Sequence, residues 1–289
     1  MTILIRGGNI VLVGRSNDVK LPSTVMAVDG TGEFAIPGLW DMHTHFRDAT
    51  RDLKMYLANG VLGIRDMGGS ADEVFPIRDA IAAGRQLGPK IVASGPIVDG
   101  PHSWSNPKFT VSVNTAEEAR STVRALKKEG SDFIKVYDGL SLDEYDAIAE
   151  ETKKLNFTFA GHRPSSVSVR HASNAGQRTI EHGVALSGGS TVEELYITQA
   201  SDQSTFDEAL KTKEFSLIPA KIAKDGTEML DHFSQQRADE TYRILATNKT
   251  FLTPTLVTEH ALTFIDELNA MPDPRMAYVS PDELNWWKP

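Results

Sequence analysis

The sequence predicts an α/β fold in which parallel strands alternate with helices, forming a sheet that is either open or closed into a barrel, behind a short β appendage. Three observations predict it. From Leu39 onward, short β-rich runs alternate with longer stretches of helical periodicity. Several of those runs are apolar on both faces, as strands covered by helices must be. Residues 1–36 follow a different rhythm of short runs punctuated by glycine and proline.

Taken in order, Ile3–Ile5, Asn9–Val13 and Val25–Val28 read as short strands separated by Gly7-Gly8, Gly14 and Pro22. The repeating part then supplies Trp40–His45, Val61–Asp66, Lys90–Ser94, Phe133–Tyr137, Phe157–His162, Thr179–His182 and Thr250–Val257 as strands. Helices lie between them. Thr115 to Glu129 places Ala119, Val123 and Leu126 on one face and ends at Gly130, a glycine suited to a left-handed C-terminal cap. Ser141-Leu142-Asp143-Glu144 and Ser190-Thr191-Val192-Glu193 both fit the capping box, in which a serine caps the helix and a glutamate reaches back. After Val257 the pattern is helical to about Met271, then irregular through Pro272, Pro274 and Pro281 to Trp286-Trp287. Seven repeating strands are identifiable, where a closed (β/α) barrel needs about eight.

Composition narrows the function classes. The 289 residues are 40% hydrophobic and 24% charged, the balance of a chain that buries a core. The net charge is −9, which leaves no basic footprint for nucleic acid or an anionic membrane. No apolar run approaches the ~18 to 20 residues that span a bilayer. Without cysteine, disulfides and thiolate metal sites are excluded, so a metal must be held by histidine, carboxylate or another hard ligand. The first residues lack the apolar core of a signal peptide, and the expected location is the cytoplasm.

The strongest local signal is Pro37-Gly38-Leu39-Trp40-Asp41-Met42-His43-Thr44-His45. Residues two apart on a strand share a face, so His43 and His45 point the same way and supply half of a metal site. A polar strand end with two hydrogen-bonded histidines explains that pair equally well. His162 and His182, however, end two further strands, and the C-terminal ends of parallel barrel strands open onto one face. Four histidines at three such ends point to a metal. Lys135 lies between apolar neighbours in Phe133-Ile134-Lys135-Val136-Tyr137. Desolvation there favours the neutral, nucleophilic amine, with snorkelling to the strand end as the plainer alternative.

These residues carry a resemblance. His43-Thr44-His45 after Pro37-Gly38-Leu39-Trp40-Asp41-Met42, then Ile134-Lys135-Val136-Tyr137-Asp138, Gly161-His162-Arg163-Pro164 and Ile180-Glu181-His182-Gly183 resemble the amidohydrolase superfamily, in particular its imidazolonepropionase and prolidase-like branch. The likeness runs along essentially the whole chain. It implies a TIM-like (β/α)8 barrel, here incomplete, over residues 37–289, behind a partial β-sandwich over residues 1–36. It also implies two divalent ions, commonly zinc, held by His43, His45, His162 and His182. A CO2-derived carbamate on Lys135 would bridge them. Paired ions of that kind polarise a carbonyl and generate hydroxide near neutral pH, which implies hydrolysis of an amide-type C–N bond in a dipeptide, an N-acyl amino acid or a cyclic amide. Among further candidates, His102 contacts substrate or is a surface histidine in a loop. Tyr137 orients a substrate carbonyl or carboxylate or is a core tyrosine. Arg163 pairs with a substrate carboxylate or bridges Glu181 or Asp138 as scaffold. Asp66 is expected to support a ligand histidine, His171 to pack, and His232 and His260 receive no role.

The sequence departs from the family in one respect that bears on activity. The family's last ligand, an aspartate after strand eight that also shuttles the proton, is not found; Asp266, Asp273 and Asp282 follow no apolar strand. With the usual flanking β strands also unmatched, the chain reads as a member shortened at both ends. Open edges at its first and seventh strands would then be covered by a second copy, a complementing chain or local rearrangement, with Trp286-Trp287 as a possible cover. The rival reading is therefore a catalytically silent barrel that only binds metal or ligand. A Schiff-base enzyme built on Lys135 explains none of the histidines.

Overall fold

The computed structural model describes residues 1–45, 48–101, 103, 105–194, 197, 217–264, 274–279, 281 and 284. Two compact units make up the chain, Met1–Pro37 and Gly38–Pro289. In the first, β1 (Thr2–Arg6) pairs antiparallel with β2 (Asn9–Gly14). Gly7 and Gly8 join them, both with positive φ, the conformation that a two-residue hairpin turn requires. Val25–Val28 was expected to be a strand and is not one. Met26 and Val28 are almost fully exposed there, and a β-prone run without a partner edge gains nothing from extending.

Among the described residues of the second unit every ladder between strands is parallel. One sheet holds β3 (Leu39–Thr44), β4 (Val61–Asp66) and β5 (Lys90–Ala93). The other holds β6 (Ile97–Asp99), β7 (Thr110–Ser112), β8 (Ile134–Val136), β9 (Phe159–Gly161), β10 (Thr179–Glu181) and β11 (Phe251–Thr253), in the order β11-β10-β9-β8-β6-β7. Within each sheet, leaving aside the short β7, each strand lies beside its predecessor in the chain, the progression of a barrel wall, while β5 and β6 fall in different sheets. Among the described residues β3 pairs only with β4 and β11 only with β10, so the wall is open.

β5 falls within the expected strand Lys90–Ser94, and β6 follows after a break in the extended chain. Gly95, with φ of 70°, and Pro96, which has no N–H for a ladder, interrupt it. The Gly-Pro pair reads as a strand end, so Ile97–Asp99 and β7 escaped sequence analysis. The seventh expected strand is also shorter, because α9 (Leu256–Thr263) starts inside it.

Among the described residues the helices are α1 (Ala49–Ala58), α2 (Ala71–Ala82), α3 (Ala116–Glu129), α4 (Leu142–Lys154), α5 (Val169–Asn174), α6 (Val184–Gly189), α7 (Leu217–Asp231), α8 (Gln235–Asn248) and α9. Thr115 caps α3 by accepting from the Glu118 amide, and Gly130 closes it in the left-handed conformation. Ser141 and Glu144 form the full capping box of α4. The second expected box does not form. Ser190 Oγ accepts from the Val192 amide, and the Glu193 carboxylate accepts from the Val169 amide and Arg237.

Val98, Ile134, Val136, Phe159 and Ile180 from the larger sheet pack on Val123, Leu126, Tyr145, Ile148 and Leu245 from the helices. A second cluster sets Ile64, Ile91 and Ala93 against Leu53, Val74 and Phe75. Each such side chain contributes about 1.5–3 kcal/mol through burial, which holds the strand ends rigidly enough to aim side chains. No helix among the described residues is long and apolar enough to cross a membrane.

Candidate functional site

Parallel strands in chain order put their C-terminal ends on one side, and there the structure brings the expected histidines together. His43 is on β3 with His45 just beyond it; His162 and His182 each directly follow β9 and β10. Ring centroids are 5.3 Å apart for His43 and His45, 4.7 Å for His43 and His182, and 4.5 Å for His162 and His182. Lys135, on β8, is completely buried, and its Nζ has no hydrogen-bond partner among the described residues. Tyr137 stacks on His162 with centroids 4.1 Å apart, and its ring centroid is 5.8 Å from Lys135 Nζ.

The outer nitrogen of each imidazole is engaged. His45 Nδ1 lies 3.0 Å from the Gly68 carbonyl, which can only accept, so Nδ1 carries the proton and Nε2 a lone pair. His43 Nδ1 donates to Glu181 Oε2 at 2.8 Å, and His162 Nδ1 to Asp138 Oδ1 at 2.9 Å. His182 Nδ1 is 2.8 Å from Thr255 Oγ1, a hydroxyl able to accept or donate. The His162 and His182 Nε2 atoms face each other at 3.0 Å. Held that close, the two nitrogens could act on one and the same cation.

Electrostatics favour neutral donors. Burial lowers His43, takes His45 down to about 4 and, with the neighbouring His162 and His43, takes His182 down to about 3. Burial also lowers Lys135 to about 8 against the opposing pull of Glu181 and Asp138. Tyr137 is pushed well up by burial and by Asp138 and Asp99, so its phenol keeps its proton.

Local backbone strain marks the same place. His182 has φ of 65° and Thr255, its hydrogen-bond partner, φ of 47°. A left-handed β-branched residue is a genuine outlier, and such strain clusters at functional sites. At Gly161, with φ of 136°, an added Cβ would collide with the Val136 carbonyl oxygen and meet Lys135 Cδ at 2.9 Å. Only glycine lets β9 approach β8 this closely beside the lysine.

Sequence analysis missed Arg65 as a site residue. The guanidinium is buried and donates to Met42 O at 2.6 Å, Thr179 Oγ1 at 2.8 Å and Glu181 Oε1 at 2.7 Å. Its signal was legible, since Arg65 sits in an apolar strand just as Lys135 does. Burial alone would raise Glu181, yet the bond from His43 and the charge of Arg65 hold it below its ordinary range. Asp66 Oδ1 accepts from the Gly68 amide at 3.3 Å, and Gly68 in turn holds His45.

Arg163 does not bridge Glu181 or Asp138 among the described residues; it donates to the Pro164 and Val167 carbonyls. His171 is half-buried against Asp146 at 2.6 Å. His102, Asp266, Asp273, Asp282 and Trp286-Trp287 lie outside the described residues.

Among the described residues no three His, Asp or Glu side chains gather as a ready ligand set. The donors nonetheless fit a divalent ion. The bonds at Nδ1 leave the Nε2 atoms of His43, His45 and His162 as lone pairs, and Thr255 lets His182 take either tautomer. The orphaned Lys135 amine would become a two-oxygen anionic ligand on carboxylation.

No family model matches the chain, and no curated protein does. Solved structures do. A candidate prolidase from Bifidobacterium longum matches with a TM-score of 0.54 at 26% identity, over 67% of this chain and 60% of its own. A prolidase complexed with N-methylphosphonate-L-proline matches with a TM-score of 0.54 at 23% identity, over 86% and 72%. An amidohydrolase matches with a TM-score of 0.55 at 21% identity, over 87% and 73%. The chain therefore spans less than two thirds of the length of the Bifidobacterium longum protein. Over most of its own length, it shares the α/β fold of these prolidase and amidohydrolase structures.

Proposed function

We propose that this chain is a metal-dependent amidohydrolase that cleaves an amide-type C–N bond in a small molecule: a dipeptide, an N-acyl amino acid or a cyclic amide. The observation that carries the reading is the succession of four neighbouring imidazoles, outer nitrogens engaged, together with a buried lysine amine that has no hydrogen-bond partner among the described residues. The fold shared with prolidases supports the choice of bond. His43, His45, His162, His182 and carboxylated Lys135 would hold two divalent ions, zinc being suited to such donors. Bound there, the ions supply Lewis-acid polarisation and activation of water near neutral pH.

The chain's own groups do the rest. At about pH 8 half of the Lys135 side chains are neutral amine, the form that combines with CO2. Glu181, Asp138 and the Gly68 carbonyl fix three imidazoles in the tautomer that aims Nε2 inward. The Tyr137 phenol, protonated beside His162, donates a hydrogen bond to the substrate carbonyl or carboxylate.

The test is elemental analysis of the chain purified with zinc and bicarbonate and without chelator, followed by a hydrolysis screen of the three amide classes and of esters. About two ions per chain, with turnover lost on chelation and restored by metal, is the expected result. Protein that takes up no metal overturns the reading. Metal without turnover favours a silent binding barrel instead.

A further inference from the structure

We propose that the buried Arg65–Glu181 pair is a positioning device for His43, holding that imidazole with Nδ1 protonated and Nε2 free. The inference rests on the metal reading above for its consequence, though not for its geometry. Glu181 is 1% exposed and Arg65 6%. One carboxylate oxygen accepts from His43 Nδ1 at 2.8 Å; the other accepts from Arg65 Nη2 at 2.7 Å and from Thr179 Oγ1. Arg65 also donates to Met42 O at 2.6 Å, the carbonyl next to His43, and reaches Thr253 Oγ1 at 3.4 Å.

The placement in the fold explains why an ion pair is used. β3, which carries His43, lies in one sheet, and β10 and β11 lie in the other, with no ladder between them among the described residues. Arg65 spans that gap, touching β3, β10 and β11 with one fork of N–H groups. An apolar pair would brace the gap as well, because a buried ion pair is seldom more stable than its hydrophobic replacement. What only the carboxylate adds is an acceptor for His43 Nδ1–H. Arg65 faces its second oxygen, so that oxygen must remain an acceptor too.

The Glu181→Gln variant breaks this arrangement at one atom. A guanidinium only donates, so it claims the amide oxygen and leaves the amide NH2 facing His43. Nδ1 must then accept, and His43 carries its proton on Nε2, where the lone pair was. Nitrogen NMR on histidine-labelled, metal-free full-length chain reads the tautomer directly. Zinc competition against a chromophoric chelator reads affinity.

We expect Nδ1–H at His43 in the parent chain, Nε2–H in Glu181→Gln, and zinc binding weakened roughly 10- to 100-fold. The double variant Arg65→Met/Glu181→Leu guards against a simple folding failure, since it replaces the pair by apolar groups of similar size. Folded and binding zinc as tightly as the parent, it would overturn the proposal. An unchanged tautomer in Glu181→Gln would overturn it as well. If the parent chain takes up no zinc, the metal reading fails, and the tautomer comparison alone decides the positioning role.

Discussion

Replacing Lys135 by methionine should stabilise the metal-free chain while removing a proposed metal ligand. Lys135 is completely buried, its Nζ has no hydrogen-bond partner among the described residues, and burial takes it from 10.5 down to about 8. For a base held below its ordinary value, the unfolded chain binds the proton more tightly, so the group costs stability. The full cost applies below about pH 8, shrinks between 8 and 10.5, and vanishes above that. At 1.36 kcal/mol for each tenfold change in proton affinity, the cost is roughly 3 kcal/mol at pH 7 and roughly 1.5 kcal/mol at pH 9.5. Methionine is unbranched, of similar length and uncharged, and it fills the same channel. Urea unfolding of chelator-treated, bicarbonate-free protein at the two pH values measures both numbers. Lys135→Met less stable than the parent at pH 7, or a gain that does not change with pH, would refute the account of the lysine. With zinc and bicarbonate present, the parent should gain more by ligand binding than the variant, which keeps only the histidines, so the difference should narrow or reverse.

Three further outcomes follow from the same region. Gly161→Ala should lower stability by more than about 2 kcal/mol in urea unfolding, because the new methyl meets the Val136 carbonyl at a left-handed φ. Thr255→Val keeps the branched shape and removes the hydroxyl beside His182 Nδ1; zinc affinity should drop about tenfold with little change in unfolding midpoint, and unchanged affinity would remove Thr255 from the site. Histidine NMR on the metal-free chain should find His45 and His182 still neutral at pH 5.5, since they are held at about 4 and about 3. Both are bases with lowered affinity in the folded state. Their contribution therefore destabilises progressively as pH falls below the ordinary histidine range, and stability should decline from about pH 6.5 toward pH 4.

Much of the barrel wall is legible locally because each strand and helix carries its own pattern. Val61–Asp66 appears residue for residue, α3 buries the three residues of its expected face, and Ser141 with Glu144 closes the expected cap. The failures share one cause, which is that pairing depends on a neighbour. Val25–Val28 has strand chemistry and no edge to join, whereas Ile97–Asp99 follows a Gly-Pro break and still pairs because β8 lies alongside. Glu193 was expected to serve its own helix, but Val169 and Arg237 reach it first.

The site divides in the same way. The sequence by itself determined which groups stand at strand ends: His43, His45, His162, His182 and the lone lysine between apolar neighbours. Parallel strands in chain order bring such ends to one side. Only the tertiary structure decided which nitrogen of each imidazole faces inward. That depends on Glu181, Asp138, Gly68 and Thr255, partners between 23 and 138 residues away along the chain. It also decided that Arg65 joins the site and that Arg163 turns to backbone carbonyls instead. A side chain's type is local information, but its hydrogen-bond partner, burial and protonation are set by whatever the fold packs against it.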